Sequence, residues 1–260
     1  MLLATPVPPR EALAALARRD IMPTNLGTYD LQQLGRDVQL DSFFSARTTL
    51  TDLLNGYKGD IGKMLNPQQI IRDGQPVNVG LTQAYALQDI QQLLQKIGYQ
   101  PNPEDRGTIK DLSSDGRINL VLETNVQIHQ GEGWWLQGQN DAVLDEFPAQ
   151  ELFRAESRLT QRNWLARFRL AGAQTGDPIG TGWTITPDGR MIALKNHAIW
   201  NWLGSSKLFS DGLNLPFAPF AFRSGMNLRD IDRDETESLG LIKPGQTIQP
   251  MTLTDLREAA

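Results

Sequence analysis

Between residues 113 and 136 apolar side chains recur at helical spacing, through Ile118, Leu120, Val121, Leu122, Val126 and Ile128, and the run closes on the adjacent Trp134 and Trp135. That periodicity demands one long helix whose stripe has to be buried. Ser113 or Ser114 can cap its start, and Asp115 sits where the helix dipole favours an acid. Gly131 and Gly133 are its weak points. Beyond Pro148 the texture changes: residues 152–157, LFRAES, alternate apolar and polar as a half-buried strand does. The expected class is therefore α+β, with a helical N-terminal arm and bundle and a long central helix leading into a small α+β C-terminal domain.

The 260 residues suffice for one sizeable core or two modest ones, and 40% apolar with 21% charged residues is an ordinary globular composition. The chain has no cysteine, which removes disulfides, thiolate nucleophiles and cysteine zinc sites together. A formal charge of −5 argues against a surface that wraps nucleic acid as a whole, though local patches can still bind it. Residues 1–110 balance eleven basic against eleven acidic side chains, while 111–260 carry fourteen against nineteen, so the excess acid lies in the second half. No run approaches the roughly 18 apolar residues of a membrane span, and no basic segment leads an apolar core at the start; the expectation is a chain neither embedded nor exported by a signal peptide.

Three regions are expected: an arm with short helices over 1–37, a helical region over 38–106, and the long helix with the α+β domain over 107–260. Pro6, Pro8 and Pro9 read as an extended arm ahead of a short helix from Glu11 to Arg19, and a marginal helix in that position needs a partner surface on another chain. From Val38 to Leu65 the spacing fits a helix, whole or interrupted near Gly56. Asn66-Pro67 opens a short helix that Gly74 and Pro76 end. A helix over 81–97 closes at Gly98. Residues 99–107, YQPNPEDRG, hold two prolines and mixed charge and read as the main seam. Later, Asn163 caps a helix ending at Gly172, Pro187-Asp188-Gly189 makes a tight turn before a strand at 190–195, and Asp232 with Glu235 caps a helix ending near Gly240.

Little here carries chemistry. His129 and Glu132 are three apart on the long helix, but a zinc site needs three or four ligands, and His197, the other histidine, is on a different element; His129 reads as a helix-surface or core residue. No phosphate-cradling glycine loop is present, and Ser205 and Ser206 lack the nucleophile elbow of a hydrolase. The Glu235-x-Glu237 spacing within DIDRDETE (230–237) matches that of ADP-ribosyltransferases, yet helix capping and a solvated helix face account for both acids. Arg154, Arg158, Arg162, Arg167 and Arg169, interleaved with Phe153, Trp164 and Phe168, could hold DNA backbone or an acidic partner; equally, they could pair with Asp141, Asp145, Glu146 or the 230–237 acids of the same domain. Trp134 and Trp135 point about 100° apart on a helix. Either one packs inside and the other meets a partner, or both pack against the C-terminal domain.

An ordered set of segments carries a family resemblance. DLSSDGRINLVLETNVQIHQGEGWWLQGQ (111–139), FPAQELFRAE (147–156), RNWLARFRLAG (162–172), GRMIALKNHAIW (189–200) and PFAPFAFRSGM (216–226), with FFSARTTLTDLL (43–54) upstream, resemble the phage Mu F-like minor head, or head morphogenesis, proteins. The resemblance covers about residues 40–242. It departs from the broader family where many members have a His-Pro and cysteine run, since PFAPFAFRSGM stands there instead. The resemblance implies a structural, non-enzymatic virion component in the phage head, assembled in the bacterial cytoplasm. Its implied partners are the portal and major capsid proteins, with packaged double-stranded DNA as a further candidate contact. It implies no catalytic residue, metal, cofactor, small-molecule substrate or membrane. The alternative is an ADP-ribosyltransferase-type or nuclease toxin built on a phage head domain.

Overall fold

The computed structural model describes residues 10–72, 75–158 and 161–258, so the prolines of the expected arm lie outside the described residues. The chain divides into two compact units, residues 1–33 with 40–133 and residues 34–39 with 134–260. The expected seam at 99–107 lies within the first of these. Tyr99 explains why: its ring packs on the first unit's core, and its hydroxyl accepts the Leu112 amide at 3.1 Å.

In chain order, α1 (Arg10–Arg18) is followed by β1 (Asp20–Ile21), α2 (Thr28–Gln32), α3 (Arg36–Asp41), β2 (Ser42–Phe43), α4 (Thr51–Leu65), β3 (Gln68–Arg72), β4 (Gln75–Val79), α5 (Gln83–Lys96) and α6 (Asp115–Gly138); these make up the first unit except that most of α3 belongs to the second unit and α6 runs on into it. Ala12, Ala15 and Leu16 of α1 are buried on one helical face, and Leu16 joins the core formed with α4, α5 and α6. The helix thus docks on its own chain, which corrects the expectation of an external partner. Leu53, Leu54, Tyr57, Ile61 and Leu65 give α4 its buried stripe against Ile90 and Leu94 of α5.

Gly56 and Gly133 admit neighbours and do not break their helices, which decides between the whole and the interrupted α4 that the spacing left open. Helix α4 runs unbroken through Gly56, where a Cβ would come 2.6 Å from Leu93 Cδ2; the glycine lets α5 approach. The interruption falls instead at 42–50, where β2 pairs in parallel with β1. Likewise α6 continues through Gly133, whose missing Cβ would lie 2.8 Å from the Ala12 amide nitrogen. The helix expected after Asn66-Pro67 is an antiparallel hairpin, with Gln68 opposite Val79 and Arg72 opposite Gln75. Asp73-Gly74, between two runs containing isoleucine and valine, is the stronger sequence signal there. Helix α5 follows expectation, with Thr82 capping Tyr85 and Gly98 in the left-handed region at φ 73°.

The second unit adds α7 (Asp141–Glu146), β5 (Ala149–Arg154), α8 (Trp164–Thr175), β6 (Trp183–Ile185), β7 (Met191–Leu194), α9 (Ile199–Leu203), β8 (Met226–Ile231), α10 (Arg233–Ser238) and α11 (Leu253–Glu258). Four strands form an antiparallel sheet in the order β6-β7-β5-β8. This is the expected α+β class. The central strands are buried on both faces, not on one. Period-two alternation sends Met191 and Ala193 to a core with Phe168, Trp183 and Trp200, and sends Ile192 and Leu194 to a second core with Ile231, Leu241 and Ile242. Helix α8 starts at the expected cap, Asn163, but passes Gly172 and ends at Gly176. A Cβ on Gly172 would strike the Trp183 ring at 2.4 Å, so this glycine too serves close packing. Asp232 accepts the Glu235 amide at 2.8 Å and caps α10 as expected.

Candidate functional site

Strand β5 carries Arg154 at its end, opposite Met226 of β8, and the chain then folds over the 222–226 turn, with the Ala155 and Glu156 amides both donating to the Gly225 carbonyl at 2.9 and 3.0 Å. Arg158 lies along that turn, its Cγ 3.1 Å from where a Gly225 Cβ would stand, and pairs with Glu156 at 2.7 Å. Arg162 donates to the carbonyls of Phe222 and Arg223 at 2.7 and 3.1 Å, and its Nε sits 2.6 Å from Asp211. Arg167 forks the same carboxylate at 3.0 and 2.8 Å, with its guanidinium 4.6 Å from the Trp164 ring centre and 4.1 Å from that of Phe209.

The five arginines therefore have different surroundings. Arg167 is an internal tie between α8 and the 209–211 segment, while Arg169 is exposed on α8. Arg154, Arg158 and Arg162 gather at the 222–226 turn together with Arg223, which the sequence pattern does not single out. Intramolecular pairing does occur, but with Glu156 and Asp211; of the acids expected in that role, Asp145 pairs with Arg233 and Glu235 with Arg190. Burial alone would raise the Asp211 carboxyl, but the hydrogen bond and charge of Arg167, joined by the charge of Arg162, outweigh it and hold the group below its ordinary value.

Trp135 is buried at 7% and Trp134 half exposed at 49%, one facing in and one out. Glu132 is fully buried, and its two oxygens are taken by Arg18 and Arg19. His129 is fully buried one turn away, and its Nδ1 donates to the Asn125 carbonyl at 2.6 Å. Among the described residues no three potential ligands cluster to hold a metal ion. His197 faces Asp177 at 3.3 Å, but its Nδ1 accepts the Ile199 amide at 3.1 Å, so with the proton on Nε2 no ring lone pair is left for a nucleophile. Glu237 pairs with Arg233 at 3.5 Å, and both acids of the Glu235-x-Glu237 spacing are thus engaged in ion pairs. No helix among the described residues is long and apolar enough to cross a membrane.

No protein-family model, curated protein or solved structure matches the chain.

Proposed function

We propose that the chain is a structural, non-catalytic minor head protein of a tailed phage or prophage particle, resident in the phage head and associated with the portal region. The observation that supports this reading is a ring cluster. Phe168, Trp200 and Phe220 come from three separate segments that carry the Mu F-like resemblance, and they meet with centroids 5.9 Å apart for Phe168 with Trp200 and 5.9 Å for Trp200 with Phe220. The recurrent aromatic and glycine-proline residues of those segments thus act as packing elements, as a structural role requires. The ion pairing of Glu235 and the blocked ring nitrogen of His197 also fit a chain without a catalytic constellation. Exposed Trp134 is the residue assigned to meet the portal or capsid partner.

The test is density-gradient fractionation of cells producing the chain together with the structural proteins encoded beside it. Sedimentation of the chain with head-sized particles is expected, and a Trp134→Ser variant should fold normally yet enter particles less efficiently. Wild-type protein left at the top of the gradient while particles form would contradict the reading. NAD-dependent transfer abolished by Glu235→Ala would overturn the non-catalytic part.

A further inference from the structure

The geometry points to a phosphodiester-binding face on the second unit, built by Arg154, Arg158, Arg162 and Arg223 around the 222–226 turn. This deepens the head-protein reading and rests on it only for the source of the nucleic acid, packaged duplex DNA.

Four arginines from two distant stretches of sequence are placed around this turn. The register sets Arg154 opposite Met226, both Arg162 Nη atoms grip the carbonyls of 222 and 223, and Arg158 lies against Gly225. The carboxylates paired within this group are Glu156 and Asp211, and Asp211 is shared with Arg167. A chain of net charge −5 therefore carries a local excess of positive charge at one turn. Arg154 Nη1 is buried without a hydrogen-bond partner among the described residues.

Arg223 is exposed and sits at φ 50°, in the left-handed region that glycine occupies without strain and arginine does not. The turn thus holds an exposed arginine in a strained backbone conformation. Fixed guanidinium forks suit phosphate oxygens. A protein partner would need an apolar anchor as well. Among the described residues, the exposed large hydrophobic residues of the second unit are Trp134, Leu170 and Ile179, and none lies on 154–158 or 222–226. Phosphodiester backbone fits the face better than an acidic protein segment does.

The experiment is fluorescence anisotropy of the purified full chain with a labelled DNA duplex of arbitrary sequence, read from about 50 to about 200 mM salt. The wild type should bind with affinity falling steeply with salt. Arg223→Gly removes the guanidinium and relieves the positive φ, so it should keep the fold and lose about tenfold in affinity. Its slope of log affinity against log salt should flatten by about 0.9, the change expected when one fewer phosphate is neutralised. Arg158→Glu should act in the same direction. Lys96→Glu, at an exposed position in the first unit, should bind as the wild type does. No duplex binding by the wild type, or unchanged affinity in both arginine variants, would overturn the assignment. Displacement of the duplex by polyglutamate as readily as by unlabelled duplex at equal charge would overturn it in favour of an acidic protein partner. The two readings fail separately: duplex binding by a chain that never enters heads would sink the head-protein role alone, and head incorporation of a chain without duplex binding would sink only the phosphate face.

Discussion

Glu132 and Arg19 meet at 2.9 Å with side chains 0% and 4% exposed, and Arg18 closes on the other oxygen of the same carboxylate. This triad ties the end of α1 and the residue after it to α6 within the first unit. Removing one partner of such a group strands the rest in a low dielectric. Glu132→Ala should therefore cost about 3–5 kcal/mol, whereas an exposed change such as Lys96→Ala should stay within about 0.5 kcal/mol. Urea unfolding of the two variants beside the wild type checks this, and equal midpoints would contradict it.

His129 makes the same region sensitive to acid. Burial, and then the charge of Arg19, with Arg18 and Lys58 adding to it, holds the imidazole well below its ordinary 6.5, against the pull of its hydrogen bond to Asn125. The fold therefore keeps the ring neutral, while the unfolded chain takes up a proton near 6.5. Stability from this group is complete above 6.5 and falls as pH drops below it toward the depressed folded value. The loss sets in below about 6.5 and continues until the pH reaches the depressed folded value. His129→Phe should flatten that dependence in unfolding measured across the range. An unchanged pH profile in the variant would place the sensitivity elsewhere.

Two glycine substitutions should move stability in opposite directions. Gly59 lies exposed within α4 with open space where a Cβ would stand, so Gly59→Ala should stabilise the first unit by about 0.5–1 kcal/mol. Gly172→Ala would drive a methyl into the Trp183 ring and should destabilise the second unit by about 1–3 kcal/mol. Thermal melting of each variant decides the matter, with a shift of the same sign in both as the contrary result.

Arg167 and Arg169, two positions apart, should separate just as clearly. Arg167→Ala removes a forked pair with Asp211 and a guanidinium stacked near two rings, a loss of about 2–3 kcal/mol, while Arg169→Ala should be close to neutral. Chemical denaturation of the two variants is the measurement. If Arg169→Ala proved the more damaging, the division of the arginine cluster would be wrong.

Features that depend on a few neighbouring residues are legible in the sequence. The Asp232 cap, the Asn163 cap and the Thr82 to Gly98 helix follow from local spacing, whereas the adjacency of Trp134 and Trp135 leaves open whether one or both pack inside. What local spacing hides is distant packing. Gly56, Gly133 and Gly172 look like helix breakers in isolation, and only the approach of Leu93, Ala12 and Trp183 shows them to be packing points. The segment at 42–50 leaves the helix because β2 finds β1, a pairing that no local period announces. In the arginine cluster, sequence proximity puts Arg167 with its neighbours, but Asp211 lies 44 residues away and takes it inside. Arg223 escapes a reading of the sequence because nothing in its neighbours signals a left-handed arginine beside the end of β5.

The most direct measurement is cross-linking mass spectrometry on purified DNA-filled heads containing the chain, using exposed Lys207 and Lys243 of the second unit as attachment points. Cross-links from these lysines to the portal protein, at a fixed stoichiometry per particle, are the expected result. Heads that fill with DNA and contain none of the chain would contradict its role as a minor head protein.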